Sequence, residues 1–77
     1  METKAFILIE TQVGRSGQVA RELRNVPEVL SADAVTGTID VIALIQADSI
    51  SALAELVTSR IQGVRGVRRT ITCVAAG

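Results

Sequence analysis

Hydrophobic and polar positions along this chain follow two periods, and the chain switches between them in a repeated order. Lys4 to Thr11 (KAFILIET) is a run of β-formers in which Phe6 and Leu8 fall on one face and Ile7 and Ile9 on the other. Apolar residues on both faces predict a central strand covered above and below. Gly14 and Gly17 break the run, with Ser16 placed as a helix cap. From Gly17 to Val26 the apolar positions are Val19, Leu23 and Val26, at i, i+4 and i+7, which predicts an amphipathic helix of two to three turns. Pro27 ends it, because proline cannot continue the hydrogen-bond ladder.

Glu28 to Thr36 reads as a second strand of a different kind. Val29, Ser31, Asp33 and Val35 share one face, and Leu30, Ala32 and Ala34 share the other, the mixed pattern of an edge strand. Gly37 supplies a turn, and Asp40 to Gln46 (DVIALIQ) is again apolar on both faces. Asp48 or Ser49 caps the next helix, in which Ile50, Leu53 and Val57 form a stripe supported by Leu56 and Ile61. Gly63 and Gly66 bracket its exit. Val67 to Ala75 is the last strand, with Val67, Ile71 and Cys73 on one face and Arg68, Thr70, Thr72 and Val74 on the other.

The order is βαββαβ, two strand–helix–strand halves joined at Gly37. Two two-faced strands and two one-faced strands predict an α+β, ferredoxin-like fold, with strands one and three central in a four-stranded antiparallel sheet. Right-handed crossovers place both helices on one face of that sheet. The central strands are apolar on both faces, so one face, carrying Ile7 or Phe6 and their neighbours, is left without helices. An apolar surface of that kind marks an interface. Dimerisation through the open sheet face is the simplest way to cover it.

Composition strengthens this expectation. Seventy-seven residues make one domain, read as spanning 1–77. A chain of this size buries about 60% of its unfolded surface and needs further support. Disulfides give none, because Cys73 is alone, and it reads as a small buried hydrophobe. Metal is not expected, since there is no His and one Cys with scattered carboxylates is a poor ligand set. The chain is 48% hydrophobic with a mean hydropathy of +0.42, which again points to oligomerisation. Eight basic and eight acidic residues cancel, so no overall field draws in nucleic acid or an anionic membrane. The longest apolar run, Val41 to Ile45, is too short to span a bilayer, and no secretory signal begins at Met1. With a lone thiol, the expected location is cytoplasmic.

Chemistry has few candidates. No His, Tyr or Trp is present, and no nucleophile has a base at a readable spacing, so an enzyme is not expected. Val13-Gly14-Arg15-Ser16-Gly17 joins a strand to a helix but lacks the remaining parts of a nucleotide fingerprint. Arg60, Arg65, Arg68 and Arg69 form a basic cluster without aromatic stacking partners, read as a solvated edge that ion-pairs with another subunit. Gly37-Thr38-Ile39-Asp40 is accounted for, on spacing alone, as a hairpin turn. Against that, Asp40 opens an otherwise apolar strand, and a carboxylate beside such surface must be paired, solvated or bound to a cation. An amino acid's ammonium group is one such partner.

Val35-Thr36-Gly37-Thr38-Ile39-Asp40-Val41-Ile42-Ala43-Leu44, with Gly66-Val67-Arg68-Arg69-Thr70-Ile71-Thr72 later, resembles the effector-binding module of the leucine-responsive regulatory protein (Lrp/AsnC) family. This module is also called the RAM domain, for regulation of amino acid metabolism. Its pattern is a G-x-x-D turn before an apolar strand, then a G-V-x-x-T-x-T segment entering the last strand. The resemblance covers about Lys4 to Val74. It implies sheet-to-sheet dimers that assemble into rings, commonly octamers, with amino-acid effectors held between neighbouring dimers. It also implies that Asp40 meets the effector's α-amino group and that the backbone around Gly37 meets its carboxylate, with Thr38 and Ile39 as further ligand-binding residues of the same turn. Thr70 and Thr72 match threonines that line the same cleft.

Two departures stand out. Family members usually carry an N-terminal helix-turn-helix, and here the first strand begins within a few residues of Met1, so the expectation is a stand-alone module. Such a module would not bind DNA by the family's route and would act by shifting assembly or by joining a full-length Lrp/AsnC regulator. The turn also carries Ile39 where an aromatic residue is usual, which leaves the pocket's side-chain preference open. The alternatives are an ACT-like amino-acid-binding domain, which shares the strand order but packs side by side, and a small dimeric α+β barrel enzyme. The latter often relies on a His or a polar cavity. No cofactor is implied by any of these residues.

Overall fold

The computed structural model describes residues 2–76. Its elements run β1 (Thr3–Thr11), α1 (Ser16–Leu23), β2 (Val29–Ala34), β3 (Val41–Ala47), α2 (Ile50–Leu56) and β4 (Val67–Val74). A π-helical turn, Val57–Ile61, continues α2. The strands form one antiparallel sheet in the order β2-β3-β1-β4, the ferredoxin-like arrangement, with the two-faced strands β1 and β3 at its centre.

Alternation along the central strands decides what the helices cover. Ala5, Ile7 and Ile9 of β1 and Val41, Ala43 and Ile45 of β3 are buried beneath the helices. They meet Val19, Ala20 and Leu23 from α1, and Leu53, Leu56, Val57 and Ile61 from α2 and its continuation, in one cluster. Phe6 and Leu8 point the other way, and cross-strand pairing aligns them with Leu44 and Ile42 on one side and Cys73 and Ile71 on the other. Among the described residues no helix covers this second face, and Phe6 is 46% exposed there. Ile7 therefore belongs to the covered face and Phe6 to the open one.

Several boundaries and faces differ from the sequence expectation. α1 ends at Leu23, and Asn25 and Val26 close tighter turns by donating their N–H groups to Glu22 and Leu23. Ser16 is the first helical residue and not the cap; Arg15 holds the cap position without a side-chain hydrogen bond. Ser49 does cap α2, its Oγ accepting from the Ala52 N–H at 3.1 Å. β2 loses register between Val29 and Ser31, so Leu30 bulges outward while Val29 and Ala32 face the helices. A second irregularity sets Glu10 opposite Arg69 and Thr11 opposite Val67. The extra residue, Arg68, turns Val67 inward against the core, away from the face of Ile71 and Cys73. Cys73 is exposed on the open face of the protomer and not buried. Ile50, expected in the core stripe, is 64% exposed.

Gly66 closes the connection into β4. Its φ of +101° lies in the region that side-chain-bearing residues rarely adopt, and a Cβ there would stand 3.1 Å from the Arg15 Cβ and 3.2 Å from the Val19 Cγ2. Gly66→Ala is expected to destabilise the protein by at least about 1–2 kcal/mol from the backbone term alone. Gly63, whose added Cβ would only touch the Ser59 carbonyl at 3.5 Å, should accept alanine without loss. Urea midpoints of the two variants against wild type measure the difference.

Candidate functional site

The segment between β2 and β3 is a six-residue loop, residues 35–40, rather than a tight turn at Gly37 alone. Gly37 has φ +145°, with open space where a Cβ would be, and Thr38 is exposed beside it. Ile39 and Asp40 are half-buried. Asp40 is the loop's anchor. Its N–H donates to the Ile9 carbonyl at 3.0 Å, and its carbonyl accepts from the Val35 N–H at 2.9 Å. Its side chain goes further, because Oδ2 accepts from the Thr11 N–H at 2.8 Å. The carboxylate thus stands where the next backbone carbonyl of β3 would, extending the β1–β3 ladder by one bond. Among the described residues no Arg or Lys lies within ion-pair distance of Asp40. A carboxylate offers about four lone-pair sites, so the Thr11 bond leaves acceptor capacity and charge for a ligand.

Thr70 and Thr72 lie elsewhere. They stand opposite Ile9 and Ile7 on the helix-facing side of β4. α2 packs over β1 and β3, and a groove of about 300 Å³ opens between it and β4. The groove's polar wall is Thr58, Gln62, Thr70 and Thr72, and its apolar wall is Ile50, Ala54, Val57 and Val74. Gln62 Nε2 donates to Thr70 Oγ1 at 3.0 Å and closes one end. Residues 37–40 line no part of this groove. Within one protomer the structure therefore does not bring Gly37–Asp40 and Thr70/Thr72 together; they flank the end of β1, the loop on its β3 side and the threonines on its β4 side.

The α2 wall was not singled out from the sequence. Ile50, Ala54, Thr58 and Gln62 recur every fourth residue, but alanine and threonine do not announce a binding face, and Ile50 had been placed in the core. Of the other candidates, Val13–Gly17 is a connection in which the Arg15 N–H donates to the Gln12 carbonyl at 3.0 Å. In the basic cluster, Arg69 pairs within the protomer, its Nη1 lying 3.8 Å from Glu10 Oε2. Among the described residues no group of three or more His, Cys, Asp or Glu side chains gathers as a metal site. Among the described residues no helix is long and apolar enough to cross a membrane.

A ferredoxin-like sheet covered on one side, with an anchored acidic loop and a groove beside its last strand, defines a small-molecule-binding α+β module. The chain belongs to the Lrp/AsnC ligand binding domain family, whose model matches residues 4–76. It is similar to the solved structure of FFRP-DM1, with 31% identity and TM-score 0.89 over 96% of this chain and 99% of that one. It shares its fold with Escherichia coli AsnC, at 22% identity and TM-score 0.89, over 97% of this chain and 51% of that one. The transcriptional regulator NMB0573 of Neisseria meningitidis, solved as an L-Met complex, also shares it, at 23% identity and TM-score 0.85, over 97% of this chain and 50% of that one. No curated protein matches the chain.

The geometry separates two roles for Asp40. Asp40→Ala leaves the partly buried Thr11 N–H without its acceptor and is expected to cost about 1–3 kcal/mol. Asp40→Asn keeps an oxygen acceptor and should retain most of that stability. Urea unfolding and hydrogen exchange at the Thr11 amide distinguish them, with faster exchange expected only in the alanine variant.

Proposed function

We propose that this chain is a non-enzymatic, amino-acid-sensing regulatory module whose effector site is completed between subunits. Membership in a ligand-binding domain family supports a small-molecule effector, and the L-Met complex of a protein with the same fold supports an amino acid. The observation that carries the reading is the separation of two half-sites. Gly37, Thr38, Ile39 and Asp40 present an anchored carboxylate and backbone groups at one side of β1, while Thr70 and Thr72 present hydroxyls in a groove at the other. Neither half encloses a ligand alone. A loop from one subunit facing the groove of another makes a complete set, with Asp40 for the ammonium and neutral donors for the carboxylate.

Self-association follows from the open face. Phe6, Leu8, Ile42, Leu44 and Ile71 form a contiguous apolar surface that a second copy covers by packing sheet to sheet. Dimers then bring loop and groove together in a larger assembly, of which an octameric ring is one closed form. An effector bound between dimers stabilises that assembly by its differential affinity for it. The output passes to a full-length regulator of the same family that joins the assembly.

Isothermal titration calorimetry with the twenty amino acids, paired with sedimentation velocity, tests this reading. At least one amino acid is expected to bind and to move the sedimentation coefficient upward. Asp40→Asn should weaken that binding about tenfold or more, since a hydrogen bond to a charged group is worth about 1.5–3 kcal/mol. Retained affinity in Asp40→Asn, or no amino acid binding to the wild-type protein, overturns it. For the open face, Phe6→Lys and Leu8→Lys are expected to convert dimers to monomers and to lower the thermal midpoint.

A further inference from the structure

β2 is an edge strand, paired with β3 on one side and with no other strand of the sheet. Which of its main-chain groups face the free side follows from one bond. Val35 donates its N–H to the Asp40 carbonyl, so Val35, and by alternation Asp33 and Ser31, turn their main-chain groups toward β3. Ala32 and Ala34, one residue out of phase, turn theirs outward. An open row of this kind is a template for pairing with another chain. The residues that flank it add to the attraction, since Leu30 is 51% exposed and Val35 38%.

Arg24 stands across that row. It is the C-cap of α1, yet its Nε donates to the Ala32 carbonyl at 2.9 Å, and its Nη2 lies 4.0 Å from Asp33 Oδ1. The ion pair adds little, because both side chains are more than half exposed. A side chain serving only the helix end would bond the last carbonyls of α1, whereas Arg24 crosses to the neighbouring strand. The carbonyl it takes is the acceptor that self-pairing needs. The bulge at Leu30 limits the flat stretch of the edge to residues 31–34. Two such edges meeting antiparallel must match outward residues with outward residues, and two registers overlap this stretch by more than one residue. One sets Ala32 opposite Ala32, and the other sets Ala32 opposite Ala34 with Asp33 opposite Asp33. Both draw on the Ala32 carbonyl. The second opposes two carboxylates, and the first brings two Arg24 side chains to the axis.

We propose that the outer edge of β2 is a pairing surface for the same edge of a second copy, and that Arg24 holds it closed. The guanidinium occupies the central acceptor and puts a positive charge in the path of an identical strand. The edge is separate from the open sheet face. In the proposed sheet-to-sheet dimer, a second two-fold contact at this edge would let dimers string together. Arg24 is the guard against that growth, as charged side chains and bulges are on other exposed edges.

Hydrogen exchange at the Ala32 and Ala34 amides, followed at low and high protein concentration with sedimentation velocity alongside, tests this. The proteins are wild type, Arg24→Met and Arg24→Met/Ala34→Pro, with Arg24→Ala as a second removal of the donors. Arg24 is exposed, and methionine keeps an unbranched stem and a good helix preference, so the fold is retained. The Ala34 N–H faces outward, so proline there removes an edge donor and no ladder bond. In wild type both amides are expected to exchange freely at both concentrations. In Arg24→Met and Arg24→Ala their exchange should slow at least about tenfold at high concentration, with a rise in sedimentation coefficient. Adding Ala34→Pro should return sedimentation and Ala32 exchange to the wild-type values. Protection of both amides in wild type, no concentration-dependent protection in either Arg24 variant, or association that survives Ala34→Pro overturns the proposal.

Discussion

The structure depends on one mismatch, between strands that are apolar on two faces and helices that cover only one. β1 and β3 place Ile7, Ile9, Val41 and Ile45 under the helices at no exposure, while Phe6, Leu8, Ile42 and Leu44 in the same strands face outward. A 77-residue chain that spends half of its central-strand apolar side chains this way has a small core for its length. Covering the open face with a copy of itself answers both needs together. In the proposed dimer that cover would add buried apolar area to a marginal chain. The open apolar face is thus a consequence of how the hydrophobic residues are distributed before any ligand is considered.

The same economy appears at Asp40. Its backbone closes the β2–β3 loop and pairs with β1, and its carboxylate substitutes for a missing backbone acceptor at Thr11. The bond fixes the acid's orientation at the loop's base. Asp40 thus anchors its loop while no Arg or Lys among the described residues pairs with it. The link to Thr11 also ties the loop to the end of β1, where Gln12 donates to the Gly66 carbonyl at 2.8 Å. Loop, strand end and the entrance to β4 are therefore joined by consecutive hydrogen bonds.

Element order, the one-sided helix layer and the open face were all legible in the chain because they rest on runs of strictly alternating or helical spacing. What failed were inferences that carry parity across an irregularity. Val67 was put with Ile71 and Cys73 by counting twos, and a bulge at Arg68 reversed it. Leu30 was put with Ala32 by the same counting, and the irregularity between Val29 and Ser31 reversed that too. Nothing in the residue types marks either bulge, since neither contains glycine or proline. The Gly37–Asp40 loop was legible as a candidate because an acid heads an apolar strand. The separation of Thr70 and Thr72 from it was not, because it depends on which side of β1 each neighbour pairs.

The irregularities are not scattered. One extra residue enters the strand at Arg68, just ahead of Thr70, and a wider turn enters the helix at Val57–Ile61, just ahead of Gln62. Both elements that form the groove are thus distorted at the same end of it, and the two distortions converge on the Gln62–Thr70 hydrogen bond. The wider turn shows in the bond from the Gln62 N–H to the Val57 carbonyl, five residues back, and a regular strand would put Val67 on the open face. Each departure disturbs local hydrogen bonding, and such departures are kept in proteins where they aim a side chain. Here they aim a neutral amide and a hydroxyl at one another beside Thr72, and with Val67 turned inward the core beneath them stays closed. The groove is built by the backbone as much as lined by side chains.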